Sequence, residues 1–341
     1  MIIRLAVGAC IMVLGAASFV EAQSDIIFER QLDLTLTPAH PAPGQTVQLS
    51  IQTYALDLRR SMVVWYVNDR EILRGIDRRE ASVVVGNLGT ETAIRVIAED
   101  EEGLVATAEA IIRPTEIDLL WEADSYVPPF YGGRTLPGTN STIRAQAIAR
   151  FRTPSGAPID DSNIVYTWYR NDAIVADGRG KSSVTVSGPS LFGADTLRVV
   201  AVSADKTLSA ETSVRIPAVD PFVMLHENHP LFGVLYHRSL EPGATTLETE
   251  QKVTAVPYFA DIVSPGEPSL LYEWTVNGAT IAPDPEEPQT LTITAEGYTG
   301  PADIELSLMS ARDIFLHAVG KWQLVFGEQS RFFSGLNPFG Q

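Results

Sequence analysis

The chain has 341 residues, 45% hydrophobic and 20% charged, with a formal net charge of −17. Acidity of this size is repelled by phosphate backbones and anionic lipid heads, so nucleic acid is not an expected partner. The one cysteine, Cys10, falls in the N-terminal segment, which leaves the remainder without disulfides, thiolate metal sites or a cysteine nucleophile.

Residues 1–22 read as a signal peptide. Arg4 supplies the positive charge, residues 5–20 carry none, and Ala22 places a small residue at the expected cleavage site. Cleavage after Ala22 would leave Gln23 first. The alternatives are an uncleaved anchor, marginal in length for a bilayer span, and acylation of Cys10 behind Val7, Gly8 and Ala9. All three send the protein out of the cytoplasm: extracellular, on the cell surface or periplasmic. Membrane contact is expected only through an uncleaved leader.

Residues 23–114 form the first expected domain. Leu32, Leu34 and Leu36 alternate with polar residues, as do Val47, Leu49 and Ile51, with Pro38, Pro41, Pro43 and Gly44 between the two runs. Period-two runs separated by Pro and Gly are half-buried strands of a sandwich. Further strands are predicted at 62–67, 82–85, 92–98 and 104–112, with Ile94, Val96 and Ala98 on one face.

Residues 115–217 repeat the plan, with strands predicted at 117–121, 142–151, 164–170, 196–202 and 209–216. In the second of these Ile143, Ala145, Ala147, Ala149 and Phe151 share a face. Residues 218–329 form the third domain, with strands at 223–225, 252–259, 270–276, 289–295, 302–309 and 317–326. The remaining residues, 330–341, are an apolar, Gly-rich tail holding Phe332, Phe333 and Phe339.

The three domains are tied together by one motif. Trp65, Asn68 and Asp69 return as Trp168, Asn171 and Asp172, and again as Trp274, Asn277 and Gly278, in steps of 103 and 106 residues. An apolar run ending in Asn-Asp or Asn-Gly is hairpin grammar, since these residues tolerate the positive φ of a two-residue turn. A period near 100 residues suits one sandwich per repeat rather than a solenoid unit. The alternation puts Ile164 and Tyr166 beside Trp168, and Leu270 and Tyr272 beside Trp274, on an inward face. Trp65, Trp168 and Trp274 are the expected structural core.

These residues carry a resemblance. A Trp in the middle of the third strand resembles the core Trp of immunoglobulin-like domains, over residues from about 30 to 326. In length and strand order the chain is also similar to bacterial repeats of the polycystic-kidney-disease (PKD) type, although their W-x-F-G-D-G signature and the paired cysteines of antibody domains are both missing. The leader, the repeats and the stretch from Trp121 to Tyr131 together look like uncharacterised secreted proteins of small-genome bacteria, a resemblance that implies no known activity. The fold class expected is all-β: three tandem immunoglobulin-like β-sandwich domains after a signal peptide.

Chemistry is sparse. His226 and His229 stand three apart, one short of the H-E-x-x-H zinc motif, and on a strand they would face opposite ways; exposed loop positions are the plainer expectation. Asp100 with Glu99, Glu101 and Glu102, and Asp284 with Glu286 and Glu287, lack the alternation of a calcium loop. Ser190, between Gly188 and Gly193, has no strand–turn–helix context for a nucleophile elbow. No catalytic residue, cofactor or metal is therefore expected.

The best lead is aromatic. From the leucines Leu34, Leu120 and Leu225 to the repeat tryptophans is 31, 48 and 49 residues, so the second and third domains share an insertion of about 17 residues. In the second it holds Trp121, Tyr126, Phe130 and Tyr131, and Pro128 with Pro129 favours an extended arm across a sheet or a domain junction. Such aromatics are either packing or partner anchors, and Phe332 and Phe333 pose the same choice. The function expected is a non-catalytic surface or periplasmic interaction or adhesion protein. A structural subunit of an envelope assembly such as a pilus or secretion apparatus, and a polysaccharide-binding accessory module, are the alternatives. A protein or envelope component is the expected partner, with self-association open.

Overall fold

A computed structural model describes residues 32–327 except 140, 242 and 247. The leader, Cys10 and the tail with Phe332, Phe333 and Phe339 lie outside the described residues. Among those described, the chain is all-β, with one 3-10 turn at Asp161–Asn163, and no helix is long and apolar enough to cross a membrane.

The first repeat contains β1 (Asp33–Thr37), β2 (Thr46–Gln52), β3 (Met62–Val67), β4 (Arg70–Ile76), β5 (Glu80–Val84), β6 (Thr92–Glu99) and β7 (Val105–Ile112). They form two sheets, β1-β2-β5 and β4-β3-β6-β7. The second repeat has β8 (Glu116–Ala123), β9 (Thr142–Arg150), β10 (Ile164–Arg170), β11 (Ala173–Arg179), β12 (Ser183–Ser187), β13 (Ala194–Ser203) and β14 (Ser209–Pro217). Its sheets, β12-β9-β8 and β11-β10-β13-β14, repeat the first pair strand for strand.

The third repeat has β15 (Phe222–His229), β16 (Gly233–Ser239), β17 (Ala244–Thr246), β18 (Glu250–Tyr258), β19 (Leu270–Val276), β20 (Ala279–Ile281), β21 (Thr290–Thr294), β22 (Gly300–Ser310) and β23 (His317–Phe326). Its sheets are β16-β15-β18-β21 and β17-β23-β22-β19-β20. The two additional strands come from the insertion: β16 extends one sheet beyond β15, and β17 runs parallel to β23 at the edge of the other.

The repeated motif has a physical explanation in all three copies. Trp65, Trp168 and Trp274 are wholly buried, each in its own apolar cluster. A buried indole N–H needs an acceptor, and each finds a backbone carbonyl: Arg78 at 2.8 Å, Lys181 at 2.9 Å and Pro288 at 3.0 Å. The turn residues Asn68 and Asp69 have φ of 49° and 61°, and Asn171 and Asp172 have 47° and 66°. That is the left-handed pair of a type I′ hairpin, whose twist matches the flanking strands.

Asn is used there for more than its backbone. Its side-chain oxygen accepts from the N–H of Ala93, Thr196 or Asp303, each at 2.9 Å. Its own N–H donates to the carbonyl of the same residue. Each Asn therefore ties its hairpin to the neighbouring strand by two bonds.

One register differs from expectation. Leu34 and Leu225 face the buried Ile51 and Ala255 across their sheets, whereas Leu120 faces Gln146 and points to solvent. Leu119, opposite the buried Ala147, is the equivalent position. A slip of one residue exchanges the faces of a strand, so Trp121 turns inward.

Candidate functional site

The segment between β8 and β9 reaches across to the third repeat through Tyr126, Val127 and Tyr131, while Leu136 also packs on the core of the second. The Tyr126 N–H donates to the Ala260 carbonyl at 2.8 Å, and the Phe259 N–H donates back to the Tyr126 carbonyl at 2.8 Å. Farther along, the Val219 N–H donates to the Pro137 carbonyl at 2.9 Å. The arm is thus bonded to the end of β18 and to the segment joining the two repeats.

Side chains fill the space between. Tyr126, Val127 and Leu136 pack against Val256, Tyr258 and Phe259. The Tyr131 ring meets Tyr258 and Phe259 edge-on, with centroids 6.0 and 5.9 Å away. Phe222 stacks on Tyr258 at 4.9 Å. Offset and edge-to-face aromatic pairs add about 0.5–1.5 kcal/mol each beyond their burial. Burial raises the Tyr126 hydroxyl to about 12, with Tyr236 and Tyr258 as lesser causes.

Phe130 behaves differently from its neighbours. The Tyr131 N–H donates to the Pro128 carbonyl at 3.2 Å, closing a turn in which Phe130 has φ of 66°. With Pro129 before it, Phe130 occupies the position of a type II turn that ordinarily takes Gly. The left-handed region costs an ordinary L-residue about 1–2 kcal/mol. The ring on this strained turn is 98% exposed.

Trp121 is not on this surface. It is 8% exposed, lies in the core of the second repeat, and is roofed by the Arg134 guanidinium 4.6 Å above its ring. Of the four aromatics singled out in this stretch, one is core, two form the junction and one is free.

The polar candidates have structural partners. His226 is buried on β15 rather than exposed on a loop, with Nδ1 3.2 Å from the Leu235 carbonyl and Nε2 3.3 Å from the Tyr258 hydroxyl. Burial lowers its pKa, and hydrogen bonds to backbone carbonyls oppose the shift. His229 Nδ1 accepts from the Leu231 N–H. Asp100 accepts from the N–H groups of Glu102 and Leu104, and Asp284 from that of Glu286, so both shape turns. Among the described residues no group of three or more His, Cys, Asp or Glu is arranged to hold a metal.

Three strands of one small sheet and four of a second, repeated in the first two units and enlarged to four and five in the third, define the class as all-β, with the two-sheet arrangement of an immunoglobulin-like sandwich. Among solved structures, the chain is similar to the central fibronectin-III array of RIM-binding protein, with 15% identity over 87% of this chain and 96% of that one, at a TM-score of 0.29. It is similar to fibronectin(III)-like modules of Clostridium thermocellum CbhA, with 12% identity over 55% of this chain and 94% of that one, TM-score 0.27. A third likeness is to three N-terminal domains of the bacteriophage RB49 highly immunogenic outer capsid protein, with 12% identity over 87% and 99%, TM-score 0.24. The chain matches no protein-family model and no curated relative.

Proposed function

We propose that the protein is an exported, non-catalytic interaction protein, in which three immunoglobulin-like domains (23–114, 115–217 and 218–329) follow a leader removed after Ala22. Its partner is a protein or other envelope component, and Phe130 is the anchor.

The observation that supports this is the contrast within one arm. Tyr126 and Tyr131 are held by the third repeat, while Phe130 between them is 98% exposed in a backbone conformation better suited to Gly. Packing alone accounts for the tyrosines and gives no reason for the Phe. A large exposed ring on a turn pinned at both sides offers its whole apolar surface to a partner, and aromatic side chains are enriched among interface anchors.

Replacing Phe130 with Gly tests this, because Gly removes the ring and relieves the turn together. The variant is expected to melt no lower than the parent and to lose capture of a partner from the envelope of the source cell. Tyr131→Ser is the control, expected to lower the melting temperature through the junction. A Phe130→Gly variant that still captures the same partner would leave the arm as packing alone.

A further inference from the structure

The joint between the second and third repeats closes over one titratable ring. His226 is 1% exposed on β15, and both of its ring nitrogens are engaged. A carbonyl oxygen can only accept, so Nδ1, 3.2 Å from the Leu235 carbonyl, carries the proton. That leaves Nε2 as the acceptor for the Tyr258 hydroxyl at 3.3 Å. Leu235 lies where β16 bulges away from β15, so the ring is held by an edge strand on one side and by the end of β18 on the other.

Tyr258 has a second role. Its ring is the platform on which Tyr131 of the arm rests edge-on and Phe222 stacks. The imidazole itself has the rings of Tyr236 and Tyr258 as neighbours, with centroids 6.0 and 6.5 Å away, and Tyr126 of the arm lies beside those same two rings. Among the described residues no acid acts on His226, and the charged group that does is His237, itself basic. Thr254 faces it on β18, and Lys252, two residues along that face, is paired with Glu287 at 2.9 Å. Glu227 alternates to the other face of β15 and lines a groove with Arg238 of β16. From the arm come the neutral phenols of Tyr126 and Tyr131, while Asp124 is paired with Arg144 at 2.7 Å and Arg134 lies over Trp121.

We propose that His226 makes this joint acid-labile: when Nε2 takes up a proton, the bond from the Tyr258 hydroxyl is lost and the arm that packs on Tyr258 comes away. The added proton leaves the bond to Leu235 in place, because Nδ1 still donates, and removes the acceptor on the Tyr258 side alone. A buried cation without a counter-charge is stabilised by reaching water, and the side on which its bond fails is the side that Tyr258 and the arm cover. Burial lowers His226 below its ordinary 6.5, so the contribution of the neutral ring is present in full above pH 6.5 and is lost as pH falls below it. Asp261 at the same joint has the opposite sign: burial, then Asp313, Asp124 and Glu267, raise it, so acid relieves it. The inference stands whether or not Phe130 has a partner.

Hydrogen exchange on the full chain at about pH 7.5 and about pH 5, corrected for the intrinsic rate, tests it. The Tyr126 and Phe259 amides bond across the joint and report its opening directly, with β3 and β6 of the first repeat as reference. Protection of the two amides is expected to fall severalfold at the lower pH while the reference holds. The gap between pH 5 and 6.5 sets a ceiling of about 30-fold on that fall. His226→Gln keeps a donor for Leu235 and an acceptor for Tyr258 but takes up no proton, so its protection should be equal at both pH values. The imidazole C–H resonances of the parent give a reading that needs no variant: His226 is expected to titrate below 6.5, and the loss of protection to lie in the same range. Unchanged protection in the parent, an equal fall in His226→Gln, or a His226 that titrates at 6.5 or above overturns the inference.

Discussion

Asn171 is the position at which the repeated motif is most sharply tested. Replacing it with Ala removes three things at once. The Thr196 N–H loses its acceptor at 2.9 Å, Asp195 loses a donor at 2.6 Å, and a residue with no side-chain compensation is left at φ of 47°. The left-handed backbone costs Ala about 1–2 kcal/mol. Each hydrogen bond contributes about 0.5–1.5 kcal/mol net, towards the lower end here because the sites are exposed. The sum is about 2–3 kcal/mol for Asn171→Ala. Asn171→Gly keeps the backbone free of strain and loses only the bonds, about 1 kcal/mol.

Native-state hydrogen exchange on peptides from β10 and β13 reads these costs within the second repeat, apart from the other two. At about 1.4 kcal/mol per tenfold, Ala should speed exchange there about 30- to 100-fold and Gly about fivefold. The order matters more than the size. If Gly destabilises as much as Ala, the positive φ contributes nothing, and if neither changes exchange, the account of the motif is wrong.

Other outcomes follow from the same contacts. Trp168→Ala empties a fully buried site and should cost about 3–5 kcal/mol; unchanged melting of the second repeat would contradict the core placement. The Tyr126 hydroxyl is raised from 10.0 to about 12, so the stability it confers is intact below pH 10 and is lost as pH rises towards 12, when the unfolded phenol ionises first. Alkaline unfolding in that window should be lessened in Tyr126→Phe, and an identical pH profile would place Tyr126 in solvent. Tyr131→Ser should loosen the junction, seen as faster exchange at residues 256–260 with the first repeat unaffected. Intact mass of the exported protein should begin at Gln23, and a product retaining Met1 would mean an uncleaved leader.

The sequence alone located most of the strands and their buried faces. Ile94, Val96 and Ala98, or Ile143, Ala145 and Ala147, are recognisable because a strand buried on one side repeats every two residues. The hairpins were equally legible, because few residues besides Asn, Asp and Gly accept a positive φ at both turn positions. Short edge strands were not: β12, β16 and β17 are half exposed and β20 is exposed throughout, and such burial leaves a weak pattern. Trp121 was left open between packing and partner contact for a related reason, and it packs in the core of the second repeat. Its stretch reads as a run of apolar residues, and only the pairing of Leu119 with Ala147 shows which face points inward.

The fate of the two insertions belonged to tertiary structure. They have nearly equal length and similar Pro and aromatic content, yet one is an arm between repeats and the other folds back as β16 and β17. The difference lies in what each one meets. Beyond β8 stands the next repeat, offering Tyr258, Phe259 and the backbone of Ala260. After β15 the chain turns back and satisfies its hydrogen bonds on its own sheets as β16 and β17, leaving Leu231 and Phe232 facing outward. Local sequence specifies alternation and turns through short-range sterics, but which surface an apolar segment covers depends on contacts with residues more than a hundred positions away.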